Sequence, residues 1–112
     1  MAKGKLKILT VDRPLRQGEH PVRDIFDAYR EKGYDMIIFP WKEDKPRTEV
    51  VVFSHDVLND MRHVFEIPHK EYSEDEILYD FDLEGIDEQT FYDILYQHFE
   101  IIVSNLTEVE RR

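Results

Sequence analysis

Asp80-Phe81-Asp82-Leu83-Glu84-Gly85 sets three carboxylates at alternate positions ahead of a glycine. Calcium loops place oxygen ligands in that alternation and use a glycine at the sixth position for a tight bend. Glu88 falls at the ninth position, but the twelfth is Phe91, where such loops carry a bidentate glutamate. Asp80, Asp82, Glu84 and Glu88 are thus an incomplete ligand set, and no bound metal is expected of them. The string reads better as a strand with an acidic outer face, running through a glycine turn into a capped helix.

A second constellation lies in Ser54-His55-Asp56-Val57-Leu58-Asn59-Asp60-Met61-Arg62-His63. On a helix, His55, Asn59 and His63 share one side, with Asp56 and Asp60 beside them. Imidazole and carboxylate at that spacing can bind a divalent metal or pass a proton. Each residue also has a plain electrostatic reason to be there: Asp56 suits a helix N-terminus, and Arg62 with His63 suits a C-terminus. His98 falls on the apolar side of an expected last helix, where burial at an interface would make it responsive near neutral pH. His20 and His69 stand in expected loops without visible partners. Asp12 ends the first expected strand, a place where some nucleases carry a metal-binding Asp, but only Arg13 and Arg16 supply positive charge nearby.

Nucleophiles are scarce. The chain has no cysteine, and its serines are Ser54, Ser73 and Ser104, none in a nucleophile elbow. Four glycines at 4, 18, 33 and 85 make no phosphate-binding loop. No cofactor is expected, and the chain reads as a binding protein instead of an enzyme.

The charge is strongly polarised along the chain. The formal net charge is −10 over 112 residues. Residues 1–70 carry about balanced charge, with 12 acids and 13 bases, whereas residues 71–112 carry 13 acids against Arg111 and Arg112 alone. Such a field repels nucleic-acid phosphates, so direct DNA or RNA binding is not expected. It attracts a basic partner and steers the encounter. Aromatic residues are interleaved with these acids, and tyrosine is favoured at interfaces for its apolar area and polar tip. Carboxylates among exposed rings can imitate the charge of a nucleic-acid backbone and its bases. The expected partner surface is therefore Tyr72, Glu74, Asp75, Glu76, Asp80, Asp82, Glu84, Asp87, Glu88, Tyr92 and Tyr96. The expected role is an inhibitor of a basic, nucleic-acid-handling protein, a DNA mimic of the kind a phage would encode. A metal-dependent hydrolase or calcium-modulated domain is one alternative. A homo-oligomerisation module, seamed along the last helix, is another.

The elements that must position these groups follow from periodicity. A hydrophobic share of 41% over 112 residues is enough for one packed domain, with residues 1–4 disordered and 108–112 frayed. No window approaches a membrane span and no apolar leader opens the chain, so a cytoplasmic location is expected. Strands are expected over Leu6–Val11, Tyr34–Phe39, Val50–Phe53 and Ile77–Glu84. Helices are expected from Pro21 to Gly33, from a Ser54 cap to before Pro68, and from an Asp87 cap to about Thr107. The order β-α-β-β-α-β-α indicates an α+β fold: a ferredoxin-like βαββαβ antiparallel sheet, helices on one face, with an added C-terminal helix. A three-layer α/β sheet is the alternative.

Overall fold

A computed structural model describes residues 4–13, 17–18, 26–41, 44–67 and 79–111. These form β1 (Gly4–Thr10), α1 (Phe26–Glu31), β2 (Met36–Trp41), β3 (Arg47–Val52), α2 (His55–Val64), β4 (Tyr79–Glu84), α3 (Glu88–Tyr96), β5 (Phe99–Asn105) and α4 (Leu106–Glu110). The fold is α+β. Its five strands lie in one mixed sheet in the order β4-β3-β2-β1-β5. β1 pairs in parallel with β2 and β5, and β3 pairs antiparallel with β2 and β4.

The arrangement departs from the ferredoxin-like expectation in two respects. The sheet is not all antiparallel, since β1, β2, β4 and β5 share one direction. The helices also occupy both faces. Leu6, Ile8, Met36, Ile38, Val50 and Val52 pack beneath Leu58 and Met61 of α2 and Phe91 and Leu95 of α3. Leu9, Ile37, Phe39 and Val51 face the other way, toward Tyr29 of α1 and Leu106 of α4. Burial of β1 to β3 on both faces explains the uninterrupted apolar runs Met36–Phe39 and Val50–Phe53. The layering is that of the three-layer alternative.

The largest correction concerns the C-terminal segment. One helix was expected from Asp87 to Thr107; instead α3 ends at Tyr96, β5 follows, and α4 is a separate short helix. Phe99, Ile102 and Leu106 fall at helical intervals, which disguises the segment. Ile101, Ile102 and Val103 are consecutive β-branched residues that suit a strand. A seven-residue register against β1, from Gly4↔Phe99 to Thr10↔Asn105, decides the outcome. The proposed oligomer seam along one long helix is lost with it. So is a buried His98, which lies exposed in the turn between α3 and β5.

The described residues near each end are more regular than expected. Gly4 already belongs to β1, and residues 108–110 are helical, with the Asn105 side chain accepting from the Thr107 N–H at 2.8 Å to cap α4. Both caps expected from the sequence are present. Ser54 Oγ accepts from Val57 N–H at 3.2 Å, and Asp87 Oδ1 accepts from Thr90 N–H at 2.8 Å. Phe65 and Phe91 stack with ring centroids 5.4 Å apart, joining the end of α2 to α3. None of the helices among the described residues is long and apolar enough to cross a membrane.

Candidate functional site

Along β4 the pleat sends Tyr79, Phe81 and Leu83 into the core and Asp80, Asp82 and Glu84 out to solvent. Residues two apart on one strand face have backbone positions about 6.8 Å from each other. Among the described strands, β4 stands at one end of the sheet order.

β3 completes the row. Its register sets Glu49 opposite Asp82 and Arg47 opposite Glu84. The carboxylate oxygens of Glu49, Asp80 and Asp82 all lie within 4.8 Å of one another. Arg47 donates from Nη1 to Asp82 Oδ2 at 3.4 Å, and its guanidinium lies 5.1 Å from the Trp41 ring centroid. Trp41 is 42% exposed and donates from Nε1 to Glu49 Oε1 at 3.2 Å. An exposed tryptophan held by a charged frame is the kind of side chain that anchors interfaces. Sequence reasoning missed Glu49, Arg47 and Trp41, because cross-strand register, not spacing along the chain, brings them to the row.

Asp87 and Glu88 extend the acidic surface around the corner. A recess of about 410 Å³ between the β2–β3 end and the start of α3 is lined by Trp41, Arg47, Asp87 and Glu88 among others. Hydrogen bonds from the Thr90 hydroxyl and backbone N–H hold the Asp87 carboxyl below its ordinary range. The Glu88 carboxylate turns to the carboxyl end of β1, where Thr10 Oγ1 donates to it at 3.3 Å. Beside it, Asn105 Nδ2 donates to Asp12 Oδ2 at 2.6 Å. Asp12 is thus tied to the end of β5 and is not a bare metal ligand.

The expected tyrosines fare unequally. Tyr96 is 53% exposed. Tyr92 is not the exposed residue expected: it packs edge-on against Phe91 at 5.9 Å and borders the core. Burial pushes its phenol well above the ordinary value, and the Glu88 and Asp12 carboxylates add to the shift while Thr10 opposes it. Tyr72, Glu74, Asp75 and Glu76 lie outside the described residues.

The calcium register does not form. Asp80, Asp82 and Glu84 lie in a strand, not a loop, and Glu88 points to Thr10. The acidic trio that does converge takes Glu49 in place of Glu84 and Glu88, and Arg47 competes for the oxygens of Asp82. On α2 the expected His55–His63 side is exposed; His55 Nδ1 is 2.9 Å from the Tyr79 hydroxyl, a structural contact between helix and β4.

Bases from the front of the chain answer part of the acidic tail. Arg47 meets Asp82, and Arg13 makes a two-pronged pair with Glu110 at 2.9 and 3.2 Å. The remaining row still presents more negative than positive charge around Trp41. No family model, no curated protein and no solved structure matches the chain.

Proposed function

We propose that this protein binds a basic, nucleic-acid-handling protein through the outer face of β3 and β4 and inhibits it by occupying its phosphate-binding surface. The observation that carries the reading is the convergence of Asp80, Asp82, Glu84 and Glu49 on one sheet face beside the exposed Trp41. Like charges on adjacent strand positions weaken a sheet. Their retention at one edge fits a docking role better than a solubility role, which scattered acids serve equally well. The partner is expected in the same cytoplasmic compartment, and a phage-encoded antagonist is the biological setting that fits.

The test is competition. A captured partner is mixed with labelled duplex DNA, and this protein is titrated in. Displacement of the DNA, lost in an Asp80→Asn/Asp82→Asn/Glu84→Gln variant, supports the reading. A partner without a basic site, or DNA that stays bound beside this protein, removes it.

A divalent cation is the second reading, favoured only by the 4.8 Å grouping of Glu49, Asp80 and Asp82. Calorimetry with calcium, magnesium and manganese decides it; heat that Glu49→Gln abolishes supports a cation, and a flat trace rejects one.

A further inference from the structure

We propose that β5 pairs antiparallel with β5 of a second copy of this chain, joining two five-stranded sheets into one. The inference goes beyond the acidic-face reading and does not depend on it.

β5 ends the sheet order opposite β4, and the chain is described without a break from α3 through β5 to α4. Among the described residues no strand lies on its outer side. The hydrogen bonds of β1 fix which groups that side carries. Lys7 C=O accepts from Asp35 N–H at 2.8 Å, and Val11 N–H donates to Ile38 C=O at 2.9 Å. Lys7, Leu9 and Val11 therefore turn their backbone groups toward β2, and Leu6, Ile8 and Thr10 turn theirs toward β5. A parallel strand meets such bonds on the residues flanking each register partner. With Leu6↔Ile101 and Ile8↔Val103, these are Glu100, Ile102 and Ser104. The N–H and C=O groups of Ile101 and Val103 point outward, and no backbone bond among the described residues takes them up.

Proteins guard an open edge with lysine, proline, several charges or a bulge. β5 has one charged residue, Glu100, and its register with β1 is unbroken. Ile102 is 43% exposed and Val103 37%. As consecutive strand residues they open on opposite faces of the sheet. A helix laid on one face would cover one of them, whereas a strand added alongside covers both.

The strand is complementary to itself. Run antiparallel about Ile102, it sets Ile102 against Ile102 of the second copy, Ile101 against Val103 and Glu100 against Ser104. The outward groups of Ile101 and Val103 then form the hydrogen-bonded pairs. The two Ile102 side chains meet in the closer, non-hydrogen-bonded site. No like charges oppose each other, and Glu100 stands beside Lys5 of its own sheet. Sliding by two residues either sets Glu100 against Ile102 or carries it past the end of β5. The formal charge of −10 per chain opposes association, but the acidic face lies at the far end of the sheet. Adjacent strands are about 4.8 Å apart, so the two β4 strands stand about 43 Å apart, about five Debye lengths at physiological ionic strength.

Sedimentation velocity of the full chain, from about 1 to about 100 μM, covers the affinities of small interfaces. A dimer should form, hold or tighten as salt rises, and weaken at least about tenfold in Ile102→Lys, where two cations meet at the axis. The chain lacks cysteine, so single replacements report the register. Non-hydrogen-bonded partners have Cα atoms about 4.5 Å apart, within disulfide reach. Ile102→Cys should link to itself on mild oxidation. Glu100→Cys and Ser104→Cys should link when mixed but not singly, since each is displaced by about 13 Å along the strand from its own copy. A monomer throughout the range, a dimer that salt dissolves, or one that Ile102→Lys leaves unchanged overturns the proposal. So does self-linking of Glu100→Cys. Should Ile102→Lys melt below the assay temperature, the cysteine pattern decides alone. None of these outcomes bears on the acidic face, whose binding weakens with salt.

Discussion

Replacing Glu49 by glutamine should make the protein more stable, and the size of the gain follows from the crowding at the β3–β4 face. The Glu49, Asp80 and Asp82 carboxylate oxygens lie within 4.8 Å of one another. Unit charges at that separation repel by about 0.9 kcal/mol in water. Screening at physiological ionic strength, where the Debye length is about 8 Å, leaves roughly half. Glu49 is repelled by two neighbours, so its neutralisation removes about 1 kcal/mol of repulsion, less the attraction it shares with Arg47. Glutamine keeps an oxygen for the Trp41 Nε1–H, which now donates at 3.2 Å. The expected net gain is about 0.5–1 kcal/mol, or about 2–6 °C in Tm for a domain of this size. Differential scanning calorimetry at low salt measures it, and repetition in 1 M salt, where the Debye length is about 3 Å, should erase most of the difference. A destabilised variant, or a gain indifferent to salt, would refute the picture of a carboxylate row held together at an energetic cost.

Phe91→Ala should cost about 3–5 kcal/mol in denaturant unfolding, because Phe91 is fully buried and stacks on Phe65 between α2 and α3. Ser54→Ala should cost about 1 kcal/mol through loss of the α2 cap, read by the same titration, with Ser54→Asp close to neutral. Gly85→Ala should destabilise by about 1–2 kcal/mol, since Gly85 sits at φ +78 where a Cβ is strained. Asp87 caps α3 with a carboxyl held below its ordinary 3.8 by the Thr90 bonds. A depressed folded-state value means that the cap's contribution is present above about pH 4 and is lost as the pH falls through the lowered value. Asp87→Asn, which can still cap, should flatten that acid dependence in a Tm-against-pH series.

Local signals carried through wherever one element decided the outcome. Ser54 and Asp87 cap helices because each oxygen needs only an N–H three residues on. Asp80, Asp82 and Glu84 share a face because strand alternation is a property of β4 alone. What was hidden depends on partners distant in the chain. Residues 99–105 become a strand only because β1 offers a free edge, and their Phe99–Ile102–Leu106 spacing imitates a helix until that partner is known. Glu49, Arg47 and Trp41 join the acidic row through β2–β3–β4 register. Tyr92 turned inward for the same kind of reason: its helix packs on the core with Phe91, and that rotation is set by the sheet below. The sheet order β4-β3-β2-β1-β5 likewise rests on pairings that periodicity along one segment does not encode.

The most direct measurement is the affinity for a captured basic partner across a salt series, for the natural protein and for Asp80→Asn/Asp82→Asn/Glu84→Gln. The natural protein should show binding that weakens steeply with rising salt, and the variant should bind more weakly with a markedly shallower slope. Two superimposable lines, or affinity unchanged by salt, would contradict docking through the β4 carboxylates.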